Sequence, residues 1–336
     1  MRYGSVCSGI EAATVAWHGL GWTPAWFSEI EPFPCAVLKH HYPTVPNHGD
    51  MSKFEVWPDE PIDLLVGGTP CQSFSVAGLR KGLDDPRGNL MLTFGAIAQR
   101  FRPEWLVWEN VPGVLSSNGG RDFGTFLGML AELGYGFAYR VLDAQYFGVA
   151  QRRRRVFVVA NARSWQRAAA VLFERHSLQG HPAPQRKTRG KIADDVERSV
   201  DGGWWDGGQV AATLTKQNAG GNQRMPDKQN FNAVVTGAIT ARFGGNAMGA
   251  PEVDAGLYIP VATASSGVAM QVRRLTPVEC ERLQGFPDGY TNIPWRKKPE
   301  APDGPRYKAL GNSMAVPVMQ WIGERIAAAT RQEVKP

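Results

Sequence analysis

Residues 3–22 read YGSVCSGIEAATVAWHGLGW. The first six are short-range apolar and run into a glycine. From Glu11 onward the apolar residues recur at helical spacing, up to Gly19 or Gly21. We read a strand over YGSVCS (3–8), a turn at Gly9 and a helix over 11–22. Strands are also expected over PAWFSEIE (24–31), IDLLVGG (62–68), EWLVWENV (104–111) and RRVFVVA (154–160). Helices are expected over PFPCAVLKHHY (32–42), NLMLTFGAIAQRFR (89–102) and FGTFLGMLAELGY (123–135). Apolar strands alternating with helices imply a mainly parallel sheet covered on both faces.

The texture changes after about residue 175. HPAPQRKTRGK (181–191) is basic and Pro-rich, and the chain to about residue 270 is rich in Gly, Asn, Thr and Gln. This reads as a smaller region of loops and short strands. Helical character returns at PVECERLQGF (277–286) and AVPVMQWIGERIAAATRQ (315–332). The expected division is a larger domain over 1–172, a smaller one over 173–300, and a segment over 301–336 that rejoins the first.

The chain has 336 residues, 43% hydrophobic and 20% charged, a globular composition. Lys and Arg exceed Asp and Glu by 37 to 31, and the net charge of +6 suits a polyanionic partner without requiring one. Cys7, Cys35, Cys71 and Cys280 are too dispersed for a metal knuckle and too few for a disulfide framework. We read reduced thiols, no metal site and a cytoplasmic protein. MRYGSVCSGI lacks the apolar stretch of a signal peptide, and no run of about 18 apolar residues could span a membrane.

Ligands of open α/β sheets bind beyond the carboxyl ends of strands. There Gly9 lets the backbone approach a ligand closely. Glu29 closes the second strand about 20 residues later, where an acid takes ribose hydroxyls. Glu11 stands where a GxGxxG pattern needs its second glycine, so a pyrophosphate at that helix start would meet a carboxylate. The turn therefore suits a ligand without phosphate, such as S-adenosyl-L-methionine. A tight strand–helix turn beside a surface glutamate reads equally well from these residues alone.

GGTPCQSFS (67–75) follows the apolar run IDLLV. Pro70 fixes the approach to Cys71, and Gly67 and Gly68 permit an unusual chain path. A cysteine is a strong nucleophile once its pKa falls below about 8.5. Lone cysteines are more often buried and structural, yet Gln72, Ser73 and Ser75 are polar and lie at a strand's carboxyl end. WLVWENVPGV (105–114) sets Glu109 and Asn110 directly after apolar residues, where desolvation raises a carboxyl pKa. QRRRRVF (151–157) puts Arg153 and Arg155 on one face of an extended segment. Singly, Glu109 also fits a core hydrogen bond or helix cap, and the arginines a solvated face.

In this order and spacing the segments resemble the C5 cytosine-specific DNA methyltransferase family, of prokaryotic or phage type. SVCSGIEAA is similar to its cofactor loop, SEIEPF to its ribose-binding acid, and HGDMSKF to its adenine-side segment. DLLVGGTPCQSFS, RGNL (87–90), WENVPGV and VAQRRRRVF match the nucleophile loop and the motifs after it. RRLTPVECERLQGFPDGY (273–290) and YKALGNSMAVPV (307–318) match the last two motifs. The chain departs from the family at Cys7, where an aromatic is usual, at Glu11 and Ala12, where Gly-Gly is usual, and at Thr69, where Phe is usual.

The resemblance implies a doubly wound mixed α/β sheet of the S-adenosylmethionine-dependent methyltransferase fold, with a smaller, loop-rich β target-recognition domain. It implies attack of Cys71 on C6 of a flipped-out cytosine in double-stranded DNA. Glu109 would bond N3 and the exocyclic amine, Arg155 would meet O2, Arg153 would support it or a phosphate, Asn110 would hold the loops together, and Gln72 would belong to the catalytic set. The cofactor would be S-adenosyl-L-methionine, held by Ser8, Gly9, Ile10, Glu29, Ile30, Asp50, Met51, Pro70, Asn312 and Ser313. Ser73 and Gln151 would touch DNA, and the loop from Ser73 to Arg87 would close over the base. The implied protein is a monomer with no membrane contact, and a restriction endonuclease acting on the same site is a partner the family allows. RNA cytosine methylation and a silent DNA-binding homologue are the alternatives.

Within the variable region, VAATLTKQNAGGNQ (210–223) is echoed by VTGAITARFGGNA (235–247). Two hairpins with Gly-rich turns explain the echo. Recognition loops that present Lys216 and Arg242 to bases, with Arg224 on phosphate, explain it too.

Overall fold

A computed structural model gives the structure of residues 1–70, 90–173, 258–262 and 270–331, with backbone alone over 258–262 and 270–273. The chain divides into two compact units. The first contains Met1–Leu172 and Leu275–Pro336.

Its centre is a six-stranded sheet of order β2-β1-β3-β4-β6-β5. The strands are β1 (Arg2–Val6), β2 (Thr23–Ser28), β3 (Leu64–Gly67), β4 (Trp105–Asn110), β5 (Gly136–Asp143) and β6 (Arg154–Asn161). β1 to β4 run parallel, while β6 is antiparallel to both β4 and β5. The sheet is thus mixed and doubly wound, as expected. Strand order reverses about β1, so the carboxyl ends of β1, β3 and β4 frame the switch point where such folds bind ligands.

Side chains alternate along the strands, and in β3 and β4 both sets are buried. Val6, Leu65, Leu106, Trp108, Val156 and Val158 share a core with Phe94 and Ile97 of α3 (Leu90–Phe101) and Phe126 and Leu130 of α4 (Arg121–Glu132). Trp105 and Val107 are fully buried on the other face, where the Arg167 guanidinium of α5 (Trp165–Leu172) lies 4.9 Å from the Trp105 ring. Close approach of strands demands small residues at two places. A Cβ on Gly4 would lie 2.2 Å from the Trp26 ring, and one on Gly67 would lie 2.5 Å from Val6 Cγ2.

The helix ends follow the sequence signals. α2 (Pro32–His41) opens on a proline and carries Lys39, His40 and His41 in its last turn, opposite the helix dipole. α6 (Pro277–Gln284) has a full capping box, Thr276 with Glu279, and stops at Gly285 in the left-handed region. α1 is shorter than expected, Ala12–Trp17, and runs into a 3-10 turn over His18–Leu20. Three elements were not foreseen: the edge strand β5, α5, and α7 (Asp303–Asn312). The burial of β5 shows no period of two, because α5 packs over it.

The expected smaller domain over 173–300 is drawn too long, because Leu275–Pro336 pack within the first unit. Glu281 is wholly buried and accepts from Gly289 N (2.6 Å), Thr291 N (2.8 Å) and the Thr291 hydroxyl, with Arg306 at 3.2 Å. Tyr290 donates to Ile10 O (2.9 Å) and stacks on His41 at 4.1 Å. α8 (Val316–Arg331) docks on α1, where Trp17 Nε1 donates to Met319 O at 2.8 Å. In the second unit, the described residues form an antiparallel pair, β7 (Tyr258–Ala262) and β8 (Met270–Arg274). Among the described residues no helix is long and apolar enough to cross a membrane.

Two glycines test this packing in opposite directions. A Cβ on Gly323 would lie 2.4 Å from Trp17 Nε1, so Gly323→Ala should destabilise the fold by about 1–3 kcal/mol in urea titrations. Gly128 is exposed within α4 and a Cβ there meets nothing within 4 Å, so Gly128→Ala should stabilise by about 0.5–1 kcal/mol.

Candidate active site

The ends of β1, β2, β3 and β4 and the start of β6 meet at the carboxyl edge of the sheet. The chain leaves β1 through Cys7 (φ 48°) and Gly9 (φ 57°) and enters α1 at Glu11 (φ 63°). A non-glycine residue in the left-handed region is costly unless its side chain compensates. Glu11 does so. Its carboxyl accepts from Thr14 N (3.1 Å), the Thr14 hydroxyl (2.5 Å) and the Ser5 hydroxyl, and it is 1% exposed. Burial pushes its pKa up.

Glu29 is buried too, at 9% exposure, which removes the surface-glutamate reading. Its Oε2 accepts from Gly9 N (2.7 Å), and its Oε1 from Ile30 N and Glu31 N, both at 2.8 Å. Asn47 grips the Glu29 backbone, accepting from its N–H at 3.0 Å and donating to its carbonyl at 3.1 Å. Asp50 caps the following 3-10 turn through Ser52 N, and Met51 Sδ lies 3.5 Å from Cys7 Sγ. Burial, with Glu29 and Asp50 nearby, pushes the Cys7 thiol up to about 12, so this thiol stays protonated.

A cleft lies between these turns and the segment after α7. It is lined by Cys7, Ser8, Gly9, Glu11, Gly68, Glu109, Asn312, Ser313 and Met314, among others. Of the expected cofactor residues, Ser8, Gly9, Asn312 and Ser313 line it. Ile30 is 68% exposed, Met51 is buried, and Pro70 is exposed. Ile10 is fully buried, and its carbonyl accepts from Tyr290.

Glu109 is on β4 and 8% exposed. Its Oε1 lies 3.0 Å from Arg155 Nε, off the line of a good hydrogen bond. A Cβ on Gly68 would lie 2.9 Å from Glu109 Oε2, so the glycine leaves the carboxyl room where it stands. Burial raises the Glu109 pKa against the lowering pull of Arg153 and Arg155. Asn110 Nδ2 donates to Thr69 O at 2.9 Å, and its Oδ1 accepts from Val111 N at 2.8 Å.

The two arginines take different partners. Arg155 faces Glu109, but Arg153 is 3% exposed and its Nη2 donates to Gly311 O (3.1 Å) and Ser313 O (2.7 Å). Arg153 thereby holds the segment that carries Asn312 and Ser313. Burial beside Arg155 draws its pKa down to about 9, which leaves it charged at neutral pH. Gln151, expected on DNA, is fully enclosed, with neither amide atom hydrogen-bonded. The period of two explains both placements, because it turns Gln151 and Arg153 inward and exposes Arg152 and Arg154. Cys71, Gln72, Ser73, Lys216, Arg224, Arg242 and the loop to Arg87 lie outside the described residues. Sequence reasoning missed Asn47 and Met314. Asn47 sits in a turn-type stretch, PNHGD, and that is the only signal for it.

Residues 1–328 match the family described as C-5 cytosine-specific DNA methylase. Type II methyltransferase M.HpaII of Haemophilus parainfluenzae is 30% identical, over 95% of this chain and 87% of its own. A protein of Escherichia phage P1, named DNA N-6-adenine-methyltransferase, is 38% identical over 97% of this chain, which spans only 61% of that protein. The crystal structure of S. pombe Dnmt2 methyltransferase shares the fold, with a TM-score of 0.59 at 17% identity over 99% of both chains. A match that runs through nearly the whole chain, over a sheet that sets Glu109 against Arg155, places this protein in the C-5 cytosine-specific DNA methylase family.

Proposed function

We propose that the protein methylates C5 of a flipped-out cytosine in a specific double-stranded DNA sequence, using S-adenosyl-L-methionine and a covalent Cys71–C6 intermediate. The observation that carries this reading is Glu109: a buried carboxyl of raised pKa, paired with Arg155, lying over Gly68 three residues before Cys71. A protonated carboxyl can donate to cytosine N3, which an ionised one cannot.

The Cys71 thiolate adds to C6, and the displaced π electrons are drawn toward N3 as Glu109 delivers its proton. The ring becomes an enamine with a nucleophilic C5. Bound S-adenosyl-L-methionine supplies the methyl group that C5 takes. Loss of the C5 proton to a base then restores the double bond and expels Cys71. Arg155 keeps Glu109 oriented and offers charge to O2 of the base.

The cleft fits that cofactor's charge. Among the described residues its lining has no Lys, Arg or His side chain, which suits a sulfonium cation and not a phosphate. Glu29 would take the ribose, Ile30, Asp50 and Met51 the adenine side, and Ser8, Gly9, Ile10, Pro70, Asn312 and Ser313 the remainder. Residues between Phe173 and Arg274 would read the target, with Lys216 and Arg242 on bases and Arg224 on phosphate. We take the protein to act as a cytoplasmic monomer, alone or beside an endonuclease of the same specificity.

The name of the phage P1 relative favours a second reading, methylation of adenine N6. An exocyclic amine is alkylated through its own lone pair and needs neither a thiol adduct nor a proton donor at N3. Nucleoside analysis of treated DNA separates the two. We expect 5-methyldeoxycytidine, and N6-methyldeoxyadenosine alone would overturn the proposal. Treated RNA should stay unmethylated.

Glu109→Gln should slow single-turnover methylation by about 10²–10⁴-fold with DNA affinity unchanged. In the wild type the rate should fall as pH rises through the raised Glu109 pKa, since the donor is lost there. The variant should lack that alkaline limb in a rapid-quench pH series. Glu29→Ala should weaken S-adenosylhomocysteine binding by roughly tenfold or more in calorimetry, through the loss of charged hydrogen bonds, and leave DNA affinity unchanged.

A further inference from the structure

The chain that leads into Cys71 is gripped at its root from three successive residues of β4. Glu109 Oε2 lies against Gly68. On the opposite side of the strand, Asn110 holds the Thr69 carbonyl, and Trp108 Nε1 donates to Thr69 Oγ1 at 3.0 Å. Thr69 is 3% exposed and Trp108 fully buried. The indole is itself fixed, 4.4 Å from the Phe126 ring in the core shared with α4. β3 and β4 are in parallel register there, with Gly67 beside Trp108, so Thr69 lies just past the last paired residue. A buried indole N–H without an acceptor is costly, and the Thr69 hydroxyl meets that need.

We propose that Thr69 is a positioning residue. Its hydroxyl, clasped by Trp108, fixes the backbone two residues before Cys71 against the strand that carries Glu109. The segment that runs on to the nucleophile and the strand that carries the proton donor are then joined in one rigid piece, and the hydroxyl does what bulk alone would not. This inference rests on the roles given above to Cys71 and Glu109.

The test uses the full chain and a randomised duplex library containing 5-fluorodeoxycytidine, with S-adenosyl-L-methionine present. The rate of covalent capture is measured beside the dissociation constant for the same library and the melting temperature. Thr69→Val keeps the shape and removes the acceptor. It should slow capture about tenfold with DNA affinity unchanged. Thr69→Ser should keep most of the rate. Trp108→Phe combined with Thr69→Val should be no slower than Thr69→Val alone, because the two groups act as one contact. Wild-type capture by Thr69→Val, equal losses in the Val and Ser variants, or losses that multiply in the double variant would each overturn the proposal. A wild type that is not captured, or a Cys71→Ala variant that is, would instead remove the reading of Cys71 on which it rests.

Discussion

One reversed strand governs this site. In an all-parallel sheet every strand would start at the edge remote from the ligand. β6 runs antiparallel between β4 and β5, so its first residues lie at the carboxyl edge, past the end of β4. That brings Arg155 to Glu109 and Arg153 to the carbonyls of Gly311 and Ser313. Without the reversal the buried carboxyl would lack its cation, and the segment with Asn312 and Ser313 would lose its anchor.

Three buried carboxyl groups show how environment separates structure from chemistry. Glu281 has two backbone N–H groups, a hydroxyl and Arg306 as partners, which together occupy its carboxyl oxygens. Glu11 is held by two hydroxyls and one N–H, and closes a helix start that glycine would usually serve. Glu109 has an arginine off the hydrogen-bond line and a glycine beneath it. The first two are fully engaged in holding the fold. The third keeps unspent hydrogen-bonding capacity, which is what a group that hands over a proton requires.

Much of this was legible in the sequence because it rests on local rules. Apolar strands, glycine turns and helix caps announce themselves within a few residues, and the strand ends carrying Gly9, Gly68 and Glu109 follow from them. β5 was not legible, because an edge strand under α5 has no clean alternation. The period of two paired Arg153 with Arg155 but could not say that Arg153 reaches a segment 158 residues away. Burial likewise escapes sequence rules. Glu29 and Gln151 read as surface groups until tertiary packing encloses them.

The docking of α8 on α1 joins residues 302 positions apart, and Asn312 and Ser313 complete a cleft begun at Ser5. On the ribosome, a growing chain can build most of the sheet long before those residues emerge. Its cleft then lacks a wall, so the nascent enzyme can bury a core yet cannot finish its ligand site. Closure of that long loop is late and entropically slow, which ties competence to residues made long after the sheet.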